Sequence, residues 1–383
     1  MANLLDYLSA YASKTFSEMP FTEVDNLILS RLAYGKLENT SIRFPARCSD
    51  VLNELLQIYT GQDKTLITLF AASVRFRDTI LFAPRAEWAE EETLQFAAVT
   101  YLLSDNTAYV AYRGTDNTLV GWKEDFNLSF ISPIPAQAEA KEYLDSVGTV
   151  LGCPLRVGGH SKGGNLAVYA SAHANESIRA LITAVYNNDG PGQDEKTVLS
   201  DGYKEISGRI RTFLPKSSVV GMLLEYSRDF YVVDSDARGI FQHNPYTWLT
   251  EDDSFSYVSS TTLFSMHLSS TIRIWLKGLS SEERKRIIDI VFDVLEAGNV
   301  RTLGEIKSNA AAMIRVIRAA RDMKPEDRKL LTELTLEFLR ASRQNFERIT
   351  AGAKKIRESI QNAPGIAYSP KEGAPSSGKD DDT

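Results

Sequence analysis

Cysteine is scarce: 383 residues hold two, Cys48 and Cys153. That pair gives no disulfide framework, and a reduced, cytoplasmic protein is the simplest reading. Long apolar runs are missing too. None approaches the roughly 18 residues that a membrane-spanning helix needs. Residues 1–7 carry neither the basic start nor the sustained apolar stretch of a secretory signal, and no segment reads as a peripheral membrane element. Positive charge is not in excess. A formal net charge of −7 argues against a nucleic-acid binder, which would carry a basic face. Histidine is limited to four residues, so few candidates exist for an acid–base role. No internal repeat is present. What remains is an ordinary globular composition, 43% hydrophobic and 24% charged, in a chain long enough for one large domain or two at about 150 residues each.

Hydrophobic spacing of three and four predicts helices over 2–14 and about 21–37, on Leu4, Leu5, Tyr7, Leu8 and on Val24, Leu27, Ile28, Leu32. Region 40–75 is mixed and mostly helical by pattern. Residues 94–103 and 108–112 read as a strand hairpin turned by Ser104-Asp105-Asn106. A helix over about 135–150 follows. Apolar runs at 155–157, 180–186, 210–214 and 230–233 then alternate with helical stretches. That alternation predicts an α/β fold, a mostly parallel sheet with helices on both faces. From about residue 280 the pattern turns wholly helical. Capping boxes Ser280 to Glu283 and Thr302 to Glu305, and then Lys324-Pro325, open three helices. Their stripes (Ile287, Ile288, Val291; Ile306, Met313, Ile314, Ile317; Leu330, Leu334, Phe338, Leu339, Phe346) are expected to pack on each other or on the core. A protein-binding face is the alternative. The predicted organisation is an α/β domain over 1–278, a helical appendage over 279–362 and a tail over 363–383 too poor in apolar residues to order.

One stretch organises the chain. Leu155-Arg156-Val157 runs into Gly158-Gly159-His160-Ser161-Lys162-Gly163-Gly164, and a helical run follows at once. This is a G-x-S-x-G pattern with a strand before it and a helix behind it, the context in which a serine is held on a tight turn with its hydroxyl exposed. A Gly-rich turn with an incidental serine is the bland alternative.

A serine hydroxyl needs a base to take its proton and a carboxylate to orient that base. His160 sits inside the elbow and cannot turn back, and His173 lies on the following helix. His243 stands in a loop beyond the last strand, on the side of the sheet where open α/β folds place their sites. It is preferred to His267, which reads as a helix-surface histidine. For the acid, Asp189 ends the strand after the serine strand. Asp234 and Asp236 are rivals on the histidine's own strand end, and a turn-capping role is the alternative for Asp189. The oxyanion donors would be the N–H of Lys162 and the N–H or hydroxyl of Thr115. Arg113 and Asp125 are expected to brace the loop at Thr115 as an ion pair.

Tyr112-Arg113-Gly114-Thr115, Trp122-x-x-Asp125, Gly159-His160-Ser161-Lys162-Gly163-Gly164 and the later Asp and His resemble the class 3 lipase family of α/β-hydrolases. The resemblance is closest to its bacterial domain-of-unknown-function branch. In that branch the blocks 187–192, 218–224 and 242–248 also recur. The resemblance covers about residues 20–275 and implies an α/β-hydrolase fold with lipase-like or esterase-like activity. One departure stands out: class 3 lipases carry the triad acid after the strand that here ends near Ser217, where no acid is present.

The resulting expectation is a serine hydrolase acting on a small-molecule or lipid acyl ester, with no metal or organic cofactor and no nucleic-acid partner. Residues 248–275 are a candidate lid. The alternative is a hydrolase fold kept as a silent binding or scaffold module.

Overall fold

The structure is a computed structural model that describes residues 2–89, 94–115, 133–218, 220–222, 230–298 and 310–361. The chain opens with α1 (Leu4–Ala10) and α2 (Glu23–Leu32), each begun by a capping box, Asn3 with Asp6 and Thr22 with Asp25. Two orphan backbone donors are satisfied at each start. Then come β1 (Ala46–Arg47), α3 (Leu52–Ile58), α4 (Gly61–Ala72), β2 (Ile80–Ala89), β3 (Leu94–Leu102) and β4 (Ala108–Tyr112). The central run is α5 (Pro135–Leu151), β5 (Leu155–His160), α6 (Lys162–His173), α7 (Glu176–Leu181), β6 (Ile182–Asn188), α8 (Glu195–Leu199), α9 (Asp201–Ile206), β7 (Ile210–Pro215) and β8 (Phe230–Val233). Short strands β9 (Thr250–Glu251), β10 (Ser254–Phe255) and β11 (Tyr257–Val258) lead to α10 (Leu263–Lys277), α11 (Ser281–Ala297), α12 (Ala310–Asp322) and α13 (Pro325–Gln361).

Nine strands form one sheet in the order β1-β2-β3-β4-β5-β6-β7-β8-β11. Strands β4 to β8 run parallel, and antiparallel strands flank that block on both edges. The central strands are covered on both faces. Along β4, Tyr109 and Ala111 enter the core beneath α1, α2 and α4, while Ala108, Val110 and Tyr112 enter the core beneath α5 and α6. The two-residue period of a strand thus feeds two separate apolar layers. This is the α/β architecture, a mostly parallel sheet with helices on both faces, that the alternating pattern predicts.

Two elements differ from expectation. Strand β2 does not show in the sequence because Pro84 interrupts it. The pairing of β2 with β3 absorbs the proline in a register shift between Phe82 and Arg85, the bulge where a residue without an N–H fits. Strand β11 adds an antiparallel edge beyond β8.

The C-terminal stripes meet expectation only in part: Ile288 of α11 is buried as expected. Leu334 is buried, and Phe338 meets Trp275 of α10 edge-on at 5.5 Å. Asn345 Nδ2 donates to His267 O at 3.1 Å and Thr271 Oγ1 at 3.0 Å, fastening α13 to α10. Met313, Ile314, Ile317, Leu339 and Phe346 are exposed instead. α12 packs on α11, and α13 on α10. In α12 and α13 part of the stripe is thus left outside, whereas Ile288, Ile290, Phe292 and Leu295 of α11 are buried. Ile306 and the second capping box lie outside the described residues, as does the stretch 363–383. Among the described residues no helix is long and apolar enough to cross a membrane.

Candidate active site

Strand β5 lies between β4 and β6, and the chain turns at its end through Ser161 into α6. Ser161 has φ 58° and ψ −132°, in the left-handed half of backbone space that a side chain rarely tolerates. The turn is enforced from both flanks. A Cβ on Gly163 would collide with the carbonyl of Tyr112, and one on Gly159 with the backbone of Gly163. Glycine alone lets β4, β5 and α6 approach so closely. The Ser161 N–H donates to Asn188 O at 2.9 Å, which ties the elbow to the end of β6.

Asp189 follows directly after β6, at φ 50°, with its N–H donating to Phe213 O of β7 at 2.8 Å. It is 1% exposed. Its Oδ2 lies 2.6 Å from His243 Nδ1, and its Oδ1 accepts from Ser218 Oγ. On the other side of the ring, His243 Nε2 lies 3.0 Å from Ser161 Oγ. A carboxylate only accepts, so Nδ1 carries the proton and Nε2 is free to accept from the serine hydroxyl. His243 closes a short 3-10 helix, Gly239–His243, beyond β8. Ser161, His243 and Asp189 therefore meet in one hydrogen-bonded row, although 82 and 54 positions separate the bonded pairs in sequence.

Neighbouring side chains fix the histidine loop. His160 Nε2 donates to His243 O at 2.8 Å, and its Nδ1 accepts from Tyr34 OH at 3.1 Å. Burial holds the protonation of His160 far below the ordinary histidine range, with the charges of His243 and Arg31 adding to it. A neutral ring with one donor and one acceptor is what these two bonds need. Gln242 accepts from Ser217 N–H and donates to Ala237 O, both at 2.8 Å. Arg31 forks onto Asp63 at 2.6 and 2.7 Å, and Tyr246 OH donates to the same carboxylate. Under the elbow, Asn26 and Asn188 exchange side-chain bonds at 2.9 and 3.1 Å, and Asn188 Nδ2 donates to Gly159 O at 3.0 Å.

Comparison with known proteins places the chain in a family. The Mbeg1-like family model matches residues 70–293, more than half of the chain. The chain belongs to the Mbeg1-like family. The Mbeg1-like region runs from the end of α4 into α11 and contains Ser161, Asp189 and His243, while α12 and α13 lie beyond it. Among solved structures, the crystal structure of M37 lipase is similar at 13% identity and a TM-score of 0.36, over 53% of this chain and 70% of that one. No curated protein matches the chain.

Two further residues of the Mbeg1-like region border the serine. Lys162 opens α6, where the first N–H groups of a helix have no partner inside it. Its side chain is buried and donates to Gln95 O at 2.8 Å. Thr115 follows Gly114, which lies so close to Tyr34 and to His160 O that a Cβ there would overlap both. The Thr115 hydroxyl is buried with no hydrogen-bond partner among the described residues.

Arg113 pairs with Glu38, at 3.0 Å from Nη1 and 3.1 Å from Nη2. Asp125, the expected partner, lies outside the described residues with Leu119 and Trp122, and so do Leu223 and Leu224. The other histidines are elsewhere. His173 stacks on Tyr169 at 4.0 Å, and His267 Nε2 lies 3.1 Å from Ser342 Oγ, between α10 and α13. Asp234 is engaged by Lys216, and Asp236 is exposed. Residues 248–275 hold β9 to β11 and most of α10, whose Ser265 Oγ donates to Ser218 O.

Sequence reasoning passed over Ser218, Gln242, Tyr34 and Glu38. Only Ser218 left a signal, by standing after β7 where an acid was sought. Among the described residues no group of three or more His, Cys, Asp or Glu could hold a metal.

Proposed function

We propose that this protein is a serine hydrolase that cleaves carboxylic esters through an acyl-enzyme, as a class 3 lipase-like esterase would. The observation that carries the reading is the 3.0 Å separation of Ser161 Oγ and His243 Nε2, with Asp189 2.6 Å behind the ring. Ser161 Oγ attacks the ester carbonyl as His243 Nε2 takes its proton. The imidazolium is held in place by Asp189. The tetrahedral oxyanion is received by the N–H of Lys162 at the positive end of α6 and by Thr115, whose hydroxyl has no partner among the described residues. His243 then returns the proton to the leaving alcohol. Water, deprotonated by the same imidazole, hydrolyses the acyl-serine and restores the hydroxyl. The substrate class is a lipid or small-molecule acyl ester, and no step calls for a cofactor.

A fluorophosphonate probe tests the reading directly. Labelling of the full chain that disappears in Ser161→Ala and in His243→Ala is expected. A folded wild type that takes no label, and turns over no p-nitrophenyl ester of any chain length, refutes it.

A further inference from the structure

The outer face of α12 has no place in the chemistry above. Met313, Ile314 and Ile317 are 46%, 59% and 48% exposed, and their spacing places them on one side of the helix. Arg321, exposed, follows on the same side; Arg318, also exposed, stands at the margin of that face, where it reaches the cleft lined by Ile290 and Asp293 of α11. The opposite side of the helix rests on α11, with Arg315 Nε donating to Gly298 O. An apolar strip of this size costs free energy in water, and surface-exposed apolar clusters bordered by polar groups mark contact sites.

Charge says which contact. Across 310–361 the chain carries twelve Lys and Arg against seven Asp and Glu, a local balance of +5, although the whole chain stands at −7. On α13 the same mixture recurs, with Leu339 and Phe346 exposed at 57% and 58% and Arg343 on the surface between them. Aliphatic side chains bordered by arginine on one helix face are the composition of helices that lie in the plane of a bilayer. The apolar side chains enter the acyl boundary and the guanidinium groups meet the phosphates.

We propose that α12, through Met313, Ile314, Ile317, Arg318 and Arg321, docks this protein on an anionic lipid surface. The proposal is independent of the catalytic reading, since it concerns adsorption and not turnover. Adsorption would set the long axis of α12 parallel to the bilayer and bring the domain carrying Ser161 to a membrane that can hold lipid esters.

Flotation of the full chain with vesicles tests it. Binding to phosphatidylcholine vesicles that contain phosphatidylglycerol is expected, with much weaker binding to phosphatidylcholine alone and loss in high salt. Arg318→Ser with Arg321→Ser should weaken binding roughly fivefold per arginine, and Ile314→Glu with Ile317→Glu should abolish it. Both pairs are exposed, so the thermal midpoint should not move; either pair alone suffices if the other perturbs folding. Absence of binding to the anionic vesicles overturns the proposal. So does binding that both double variants retain. A dimer seen by light scattering that Ile314→Glu with Ile317→Glu dissolves, with no vesicle binding by the wild type, would assign the face to a second copy instead. Equal affinity for a polyanion such as single-stranded RNA, insensitive to the isoleucine changes, would assign it to nucleic acid.

Discussion

Replacing Asp189 by Asn keeps the shape of the side chain and removes its charge. The buried carboxylate has two clients: it accepts from His243 Nδ1 at 2.6 Å and from Ser218 Oγ. An amide offers one acceptor where two are used. If its oxygen faces Ser218, its NH2 faces the imidazole and forces the proton to Nε2, which then cannot accept from Ser161. If its oxygen faces His243, the tautomer survives but the imidazolium formed during attack loses its counter-charge. Either arrangement strikes the transition state more than the fold. The expected loss in kcat is about 10⁴-fold, near 5.5 kcal/mol of barrier. Ser218→Ala removes one bond and leaves the other, so a loss on the order of tenfold is expected. The assay is hydrolysis of short p-nitrophenyl esters, with the thermal midpoint as the control for folding. Activity within tenfold of wild type in Asp189→Asn, together with collapse in Asp234→Asn or Asp236→Asn, would show that the orienting acid is elsewhere.

Three other outcomes follow from the surrounding structure. Arg75→Met strands Asp25, whose carboxylate is 0% exposed and accepts from Nε and Nη2 of the guanidinium; denaturant titration should show a loss of about 3–5 kcal/mol. Gly163→Ala forces the carbonyl of Tyr112 aside and should abolish probe labelling, while Gly208→Ala, where a Cβ meets nothing within 4 Å, should leave it intact. His160 titrates well below the ordinary histidine range because it is buried. Between its folded value and the unfolded value of about 6.5, the unfolded chain binds a proton that the folded chain refuses. Stability should therefore fall as pH drops below that unfolded value, by up to roughly 1.4 kcal/mol per unit. Denaturation midpoints at neutral and mildly acidic pH in wild type and His160→Gln would show this slope shrinking in the variant.

The elbow was readable because its constraint is local: glycines two residues either side of a serine, between a strand and a helix. The hairpin of β3 and β4 and the parallel strands that follow were readable from apolar alternation. His243 could be singled out because so few histidines compete with it. Long-range partners left no such trace. Glu38 meets Arg113 across 75 positions, and Ser218 meets Asp189 across 29; nothing near either residue in sequence announces its partner. Strand β2 was hidden by Pro84, since a proline inside an apolar run normally argues against a strand. The outer side of α12 could not be separated from a buried stripe, because helical periodicity gives the direction of a face and not what lies against it.

Ser161 and Asp189 share one unusual property: both are non-glycine residues held at positive φ, and the Ser161 N–H is bonded to Asn188, the residue just before Asp189. Each such conformation is uphill by about 1–3 kcal/mol and persists only while its surroundings insist on it. The two bends are thus sprung against the ends of the same two central strands. Warming or mild denaturant that slackens the ends of β5 and β6 should let both recoil before the sheet itself comes apart. The molecule would then pass through a stage in which it is still folded by every spectroscopic measure and already inert.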